Sequence, residues 1–120
     1  MLTSLGKFLR KLRIDRGEKL KDMADQLNVS SAFLSAVENG KKKMPIEWNQ
    51  RIPSVYELND EQCENFFQAA AEAEEFIAMN FSETAEQNRK LAASFARKFN
   101  DFDEAQIDAI RKIIKGENNF

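Results

Sequence analysis

Residues 27–41 have the sequence LNVSSAFLSAVENGK, and this segment carries the clearest structural signals of the chain. Ser30 can accept a hydrogen bond from an amide in the following turn, which is typical of the residue that caps the start of a helix. Leu34 and Val37 lie three residues apart, so they share the side of that helix that faces a core. The Asn39–Gly40 pair is a helix stop. The stretch therefore predicts a short helix with one apolar face and one free face.

Two helices are predicted before this one. Each carries apolar residues at positions i, i+3, i+4 and i+7, which places them on one side of a helix. The first helix ends at Gly17 and the second at Asn28, because both residue types accept positive φ. The second and third helices, joined by this tight turn, predict a helix-turn-helix arrangement. The apolar residues of the first two helices are Leu5, Phe8, Leu9, Leu12, Leu20, Met23, Ala24 and Leu27.

Composition excludes several classes of function. The 120 residues contain no His and one Cys, which removes the usual general base, a disulfide framework and any thiolate metal cluster. We therefore expect no catalytic residue, metal or cofactor. No apolar run is long enough to span a membrane and no signal peptide is visible, so we expect a cytoplasmic protein. The carboxylates are interpreted as solvated or capping groups, which makes an enzyme the weakest hypothesis.

Charge is divided between the two halves of the chain. Residues 1–52 hold eleven Lys or Arg against six Asp or Glu, whereas residues 53–120 hold seven against fourteen. The basic first half suggests a polyanionic partner, but charges that only solvate helix faces would give the same division, so this signal alone decides little. We expect two domains, a helix-turn-helix domain of four to five helices at residues 1–58 and a helical region at residues 59–120.

The second half carries weaker signals. Pro45 suits the opening of a fourth helix, and Pro53 predicts a kink or a break in it. Asn59 and Gln62 form a capping-box signature for a fifth helix. The run from Phe76 to Phe81 has strand periodicity, so in an otherwise all-α fold it predicts either a dimerising β-strand or a helix or loop packed within one chain. The residues assigned to dimerisation are Phe76, Ile77, Met79, Phe81, Phe95 and Phe99.

The stretch 27–41 resembles the recognition helix, and its exit, of the XRE family of phage-repressor-like transcriptional regulators. Leu12-Arg13, Gly17 and Met23-Ala24 match the first two helices of that family at the right distances, and the resemblance covers roughly residues 4–58. It implies an all-α fold whose third helix lies in the major groove of duplex DNA. Leu20 departs from the pattern, since many members carry a phosphate-contacting Gln there.

The resemblance implies a set of DNA contacts. Ser31, Ala32, Ser35 and Ala36 lie opposite the apolar face and are free to reach base edges, where Ser and Ala read sequence only modestly, so DNA shape should contribute. Phe33 is open to two interpretations, packing at the helix edge or lying against the sugar-phosphate backbone. The residues assigned to the DNA backbone are Lys19, Lys21, Ser30, Phe33, Asn39, Lys41, Lys42 and Lys43.

Arg13 and Glu38 match a family ion pair that ties the first helix to the end of the recognition helix. We assign this pair a positioning role. The leading hypothesis is a homodimeric repressor that binds a pseudo-palindromic operator. The alternative is an antitoxin that regulates its own operon and binds a toxin through residues 60–120. An exposed apolar patch left after dimerisation would favour the second.

Overall fold

The computed structural model describes residues 1–73, 79 and 81–116, and these residues form helices and turns with no β-strand among them. The all-α fold predicted from the sequence is confirmed. The chain divides into two compact units, Met1–Met79 and Asn80–Phe120. The helices are α1 (Ser4–Arg16), α2 (Leu20–Gln26), α3 (Ser31–Glu38), α4 (Trp48–Val55), α5 (Asp60–Ala71), α6 (Glu86–Lys98) and α7 (Glu104–Lys115), with a 3₁₀ turn at Phe99–Asp101.

The predicted stops of α1 and α2 and the predicted start and stop of α3 are confirmed. Gly17 ends α1 with a φ of 66°, and Asn28 makes the turn between α2 and α3 with a φ of 58°. The Ser30 hydroxyl accepts the Phe33 amide at 3.0 Å and so caps α3. After α3, Gly40 turns the chain with a φ of 75°. These are local signals, so the sequence alone was sufficient to place them.

One apolar core holds the first unit together. The stripes predicted on α1, α2 and α3 point into it, and α4 and α5 close it from the other sides. Phe8 and Leu20 pack against its edge rather than inside it. The core residues are Leu5, Leu9, Leu12, Met23, Ala24, Leu27, Leu34, Val37, Met44, Trp48, Ile52, Tyr56, Phe66 and Ala70.

Helix α4 runs through Pro53, so of the predicted kink or break the break is wrong. A proline inside a helix removes the hydrogen bond from its missing amide, and its ring crowds the carbonyl four residues before it. Here Ile52 and Tyr56, on either side of it, are fully buried, and their packing outweighs that loss. The helix begins at Trp48, three residues after Pro45, with the Pro45 carbonyl accepting the Trp48 amide at 3.0 Å.

Helix α5 belongs to the first unit. Its predicted capping box is present, with the Asn59 carboxamide oxygen accepting the Gln62 amide at 2.8 Å. Phe66 is fully buried and its ring lies 5.6 Å from that of Phe8 on α1. The compact unit thus extends beyond residue 58, where the sequence analysis places the domain boundary.

The second unit consists of α6, the 3₁₀ turn and α7. Asp103 caps α7 by accepting the Gln106 amide at 2.8 Å, and Gly116 ends that helix as predicted. The rings of Phe99 and Phe102 lie 5.5 and 5.4 Å from that of Phe95. None of the described residues of this unit is buried.

The predicted strand at 76–81 lies largely outside the described residues. Of that run, the structure describes Met79 and Phe81, and neither belongs to a helix or a strand. Phe76 and Ile77 fall among the residues that are not described. Met79 is 69% exposed, and Phe81 is half-buried beneath the Arg89 guanidinium, which lies 5.7 Å from its ring centre.

Candidate nucleic-acid interface

Helix α3 presents a face of small side chains, two of them serines, away from the core. Leu34 and Val37 are buried on its inner side, whereas Ala32 is exposed. Successive residues of a helix are rotated by about 100°, so the outer arc collects small side chains. A surface of short side chains lets the helix backbone approach another molecule closely. The outward residues are Ser31, Ala32, Ser35, Ala36 and Asn39, all exposed or half-buried.

Hydrogen bonds fix polar groups at both ends of α3. At the start, the Ser30 oxygen is already an acceptor for an amide, which leaves its hydroxyl hydrogen free to donate. At the end, the Asn39 side-chain amide donates to the Ser35 carbonyl at 2.8 Å. The Ala36 carbonyl accepts the amides of Lys41 and Lys42 at 2.8 and 3.2 Å, which fixes the direction in which the basic loop leaves the helix.

A buried ion pair anchors the end of α3 to α1. The Arg13 guanidinium donates through Nη1 and Nη2 to the two oxygens of Glu38, the second bond being 3.1 Å long. Arg13 is only 8% exposed and Glu38 only 3%. A two-pronged pair of this kind fixes orientation as well as distance. It also neutralises a carboxylate that would otherwise repel phosphate close to the outer face.

The start of α1 is attached to the same point. The Thr3 amide and hydroxyl both donate to the Glu38 carbonyl, at 3.0 and 3.2 Å. Gly6 lies against that carbonyl so closely that a Cβ added there would be 2.1 Å from its oxygen. Sequence reasoning missed Thr3 and Gly6 as supports of α3. A glycine inside an otherwise regular helix was the available signal, because it often marks a close backbone approach.

The predicted cationic residues are at the surface around α3. Lys19 and Lys21 are exposed at the start of α2, and the start of a helix favours anions. Lys41, Lys42 and Lys43 are exposed in the loop after α3. Together with Thr3 and Gly40 these three lysines line a cavity of about 280 Å³ between the start of α1 and the exit of α3.

Phe33 packs at the edge of its helix, which is the first of the two interpretations considered for it. Its ring meets the Trp48 ring of α4 edge to face, with centroids 6.2 Å apart and planes at 84°. It remains half-buried, so its edge is still available at the surface. The contact fixes α3 against α4, which adds to the support from α1.

A polar network that the sequence did not reveal holds α4 against α1 and α2. The Tyr56 hydroxyl donates to the Glu18 carboxylate at 2.8 Å, and burial, reinforced by that bond, raises the pKa of Tyr56 above its ordinary value. Tyr56 therefore stays a neutral donor. Arg16 donates to the Tyr56 carbonyl, and Arg51 donates twice to the Gln26 carbonyl, at 3.0 and 2.8 Å.

The unit built on α1 to α5 is of the helix-turn-helix class. The motif consists of α2 and α3; α3 is held in place by α1 and α4, and three lysines follow it. The family model described as Helix-turn-helix domain matches residues 4–66, more than half of the chain, and the protein belongs to this family. It is a DNA-binding regulator in the general sense of that class. The curated proteins and the solved structures gave no match to the chain.

Two further features bear on function. None of the helices in the described ranges is both long and apolar enough to cross a membrane. Among the same residues, no group of three His, Cys, Asp or Glu side chains is arranged to hold a metal ion.

Proposed function

We propose that the chain is a transcription regulator of the XRE type that represses by occluding a promoter as a homodimer. Helix α3 enters the major groove with Ser31, Ala32, Ser35 and Ala36 toward the bases. The observation that carries the proposal is the combination of an outer face of small side chains on α3 with its anchoring by the buried Arg13–Glu38 pair. Catalysis has no part in this mechanism.

Most of the affinity comes from phosphate contacts. Lys41, Lys42 and Lys43 follow the recognition helix directly, and cations that neutralise phosphates release bound counterions from DNA. Lys19 and Lys21 add charge at the start of α2, where the helix dipole also favours phosphate. Ser30, Asn39 and the edge of Phe33 complete the backbone contacts.

Replacing Lys41, Lys42 and Lys43 together by Ala should weaken binding to every duplex sequence by about a hundredfold at low salt. The slope of log affinity against log salt should fall by about three, because each lost phosphate contact contributes about one. Fluorescence anisotropy over a salt series measures both quantities.

A matched control removes three other lysines, Lys11, Lys90 and Lys112. Each of these is exposed and paired with an acid one turn away on its own helix, at 2.9, 3.3 and 3.2 Å. The control loses the same charge but should keep nearly the full salt slope. Equal losses in the two triple variants would contradict the phosphate assignment, leaving only a general charge effect.

Sequence preference should depend on Ser31 and Ser35. Changing Ser35 to Gln, or Ser31 to Arg, introduces a side chain that pairs with adenine or guanine, and each such contact discriminates by about 1–3 kcal/mol. Selection of bound fragments from random DNA should then return a shifted motif. The control Gln68→Arg, on the exposed side of α5, should return the original motif. An unshifted motif in the Ser31 and Ser35 variants would mean that another face reads the bases.

A second candidate function is an antitoxin that binds a toxin through residues 60–120. The observation that favours it is the exposed apolar surface of the second unit, where Leu91 is 69% and Ile114 is 74% exposed. Patches of this kind mark protein-binding sites. The two functions differ in what covers this surface, a second copy of the chain or a toxin.

A further inference from the structure

The second unit lacks a core of its own in the part that the structure describes. Its two helices have 13 and 12 residues, and helices of this length are marginal in water without packing. Phe99 is 59% exposed and Ile114 is 74% exposed. A segment of this size needs an external partner to bury enough apolar area.

The apolar residues of α7 form a seam. Ile107, Ile110 and Ile114 are spaced by three and four residues, which is the spacing of a helix that packs along another helix. Ile113 widens the seam on one side and is 58% exposed. A second helix of similar length could cover this seam along its whole extent.

The charges of α7 change sign along its length. Glu104 and Asp108 lie in its first half, and Arg111, Lys112 and Lys115 lie in its second half. Asp108 and Lys112 pair with each other within the helix at 3.2 Å, and both side chains are exposed. Helix geometry places Glu104, Arg111 and Lys115 along one border of the seam, within about 40° of one another around the axis.

We infer that the seam of α7 is covered by a second copy of this chain, with the two α7 helices antiparallel about a two-fold axis. In that arrangement the border of one helix meets the same border of the other, so Glu104 faces Lys115 of the partner subunit, twice. A parallel pair would instead set this border against the opposite border of the partner helix, so Glu104 would not meet Lys115. The charges of α7, acidic in its first half and basic in its second, are complementary to the same helix running in the opposite direction. A second copy of the chain therefore fits this surface. This inference rests on the homodimer of the proposed function and names its interface.

Charge exchange tests the interface with the full-length chain. Glu104→Lys alone and Lys115→Glu alone each create two repulsive pairs, so each should raise the dimer dissociation constant by about tenfold. The double variant Glu104→Lys/Lys115→Glu restores both attractions and should return to within about twofold of the wild-type value. An equimolar mixture of the two single variants should form heterodimers for the same reason. Sedimentation equilibrium without DNA measures all four.

The double variant separates pairing from helix stability. Lysine at the start and glutamate at the end of α7 both oppose the helix dipole. If the single variants acted only by weakening α7, the double variant would therefore associate least of all. Circular dichroism of each variant gives the helix content. A double variant that dimerises more weakly than both single variants would overturn the antiparallel assignment.

Placing a charge at an apolar position tests the seam itself. Ile114→Asp places a charge in the seam and should give a monomer, whereas Ala105→Asp, an exposed position on the other side of α7, should leave the dimer intact. A wild-type chain that remains monomeric throughout its soluble range would also overturn the inference, and would leave the seam to a partner of another sequence. DNA binding is measured separately through the lysines after α3, so failure of the interface and failure of the regulator proposal give different results.

Discussion

Replacing Gly6 by Ala is expected to lower the free energy of unfolding of the first unit by about 3 kcal/mol, near the upper end of the cost of overpacking. The added methyl would lie 2.1 Å from the Glu38 carbonyl oxygen and 2.8 Å from its carbon. Both atoms are backbone, so a rotamer change cannot relieve the clash. Separating α1 from α3 would also stretch the two hydrogen bonds from Thr3 to that carbonyl.

Urea denaturation followed by circular dichroism measures this loss. Alanine favours a helix over glycine by about 1 kcal/mol, so the expected loss is net of a local gain. Gly17→Ala is the control, because no atom lies within 4 Å of its added Cβ and only its φ of 66° opposes the change. That control should lose about 1 kcal/mol. A Gly6→Ala variant as stable as the wild type would mean that α1 and α3 are not closely docked.

Replacing Glu38 by Ala is expected to cost about 4 kcal/mol, because it leaves the Arg13 guanidinium buried without its counter-ion. Removing one member of a buried pair is much more damaging than removing both. The double variant Arg13→Met/Glu38→Leu fills the same space with apolar groups and should recover most of the stability. We expect the recovered variant still to bind DNA more weakly than the wild type, since α3 would lose its fixed orientation.

The exposed Lys11–Asp15 pair is the matched control for this prediction. Its two members are 77% and 56% exposed and its bond is 2.9 Å long. Lys11→Ala should therefore cost about 0.5 kcal/mol at most. If Glu38→Ala cost no more than Lys11→Ala in the same urea experiment, the Arg13–Glu38 pair would not anchor α3.

The helix-turn-helix motif could be predicted from the sequence because its signals are local. Ser30, Gly17 and Asn28 each act through their own backbone or the next turn, and the apolar stripes of α1 to α3 report a single buried face. The resemblance to the XRE family supplied the expectation that α3 is the helix that enters the major groove. The assignment of individual residues to bases and phosphates remains a prediction.

Long-range packing set the features that the sequence did not predict. The continuity of α4 through Pro53 depends on the burial of Ile52 and Tyr56 against distant helices. The placement of α5 depends on Phe66 meeting Phe8 across 58 residues of chain. Gly6 acquires its importance only when α3 lies beside it. The sequence marks Gly6 as unusual within its helix and marks the start of α5, but it does not say which distant residue each of them meets.

The most direct test of the central claim, that α3 binds the major groove, is a map of backbone amide shifts in the full-length chain with a duplex selected from random DNA. We expect large shifts at residues 30–43 and at the start of α2, with residues 60–71 nearly unchanged. The same duplex carrying methylated guanine N7 atoms should bind more weakly, since that atom lies in the major groove. If the shifts were confined to α5, α6 and α7 and the signals of residues 30–43 did not change, α3 would not be the helix that binds DNA.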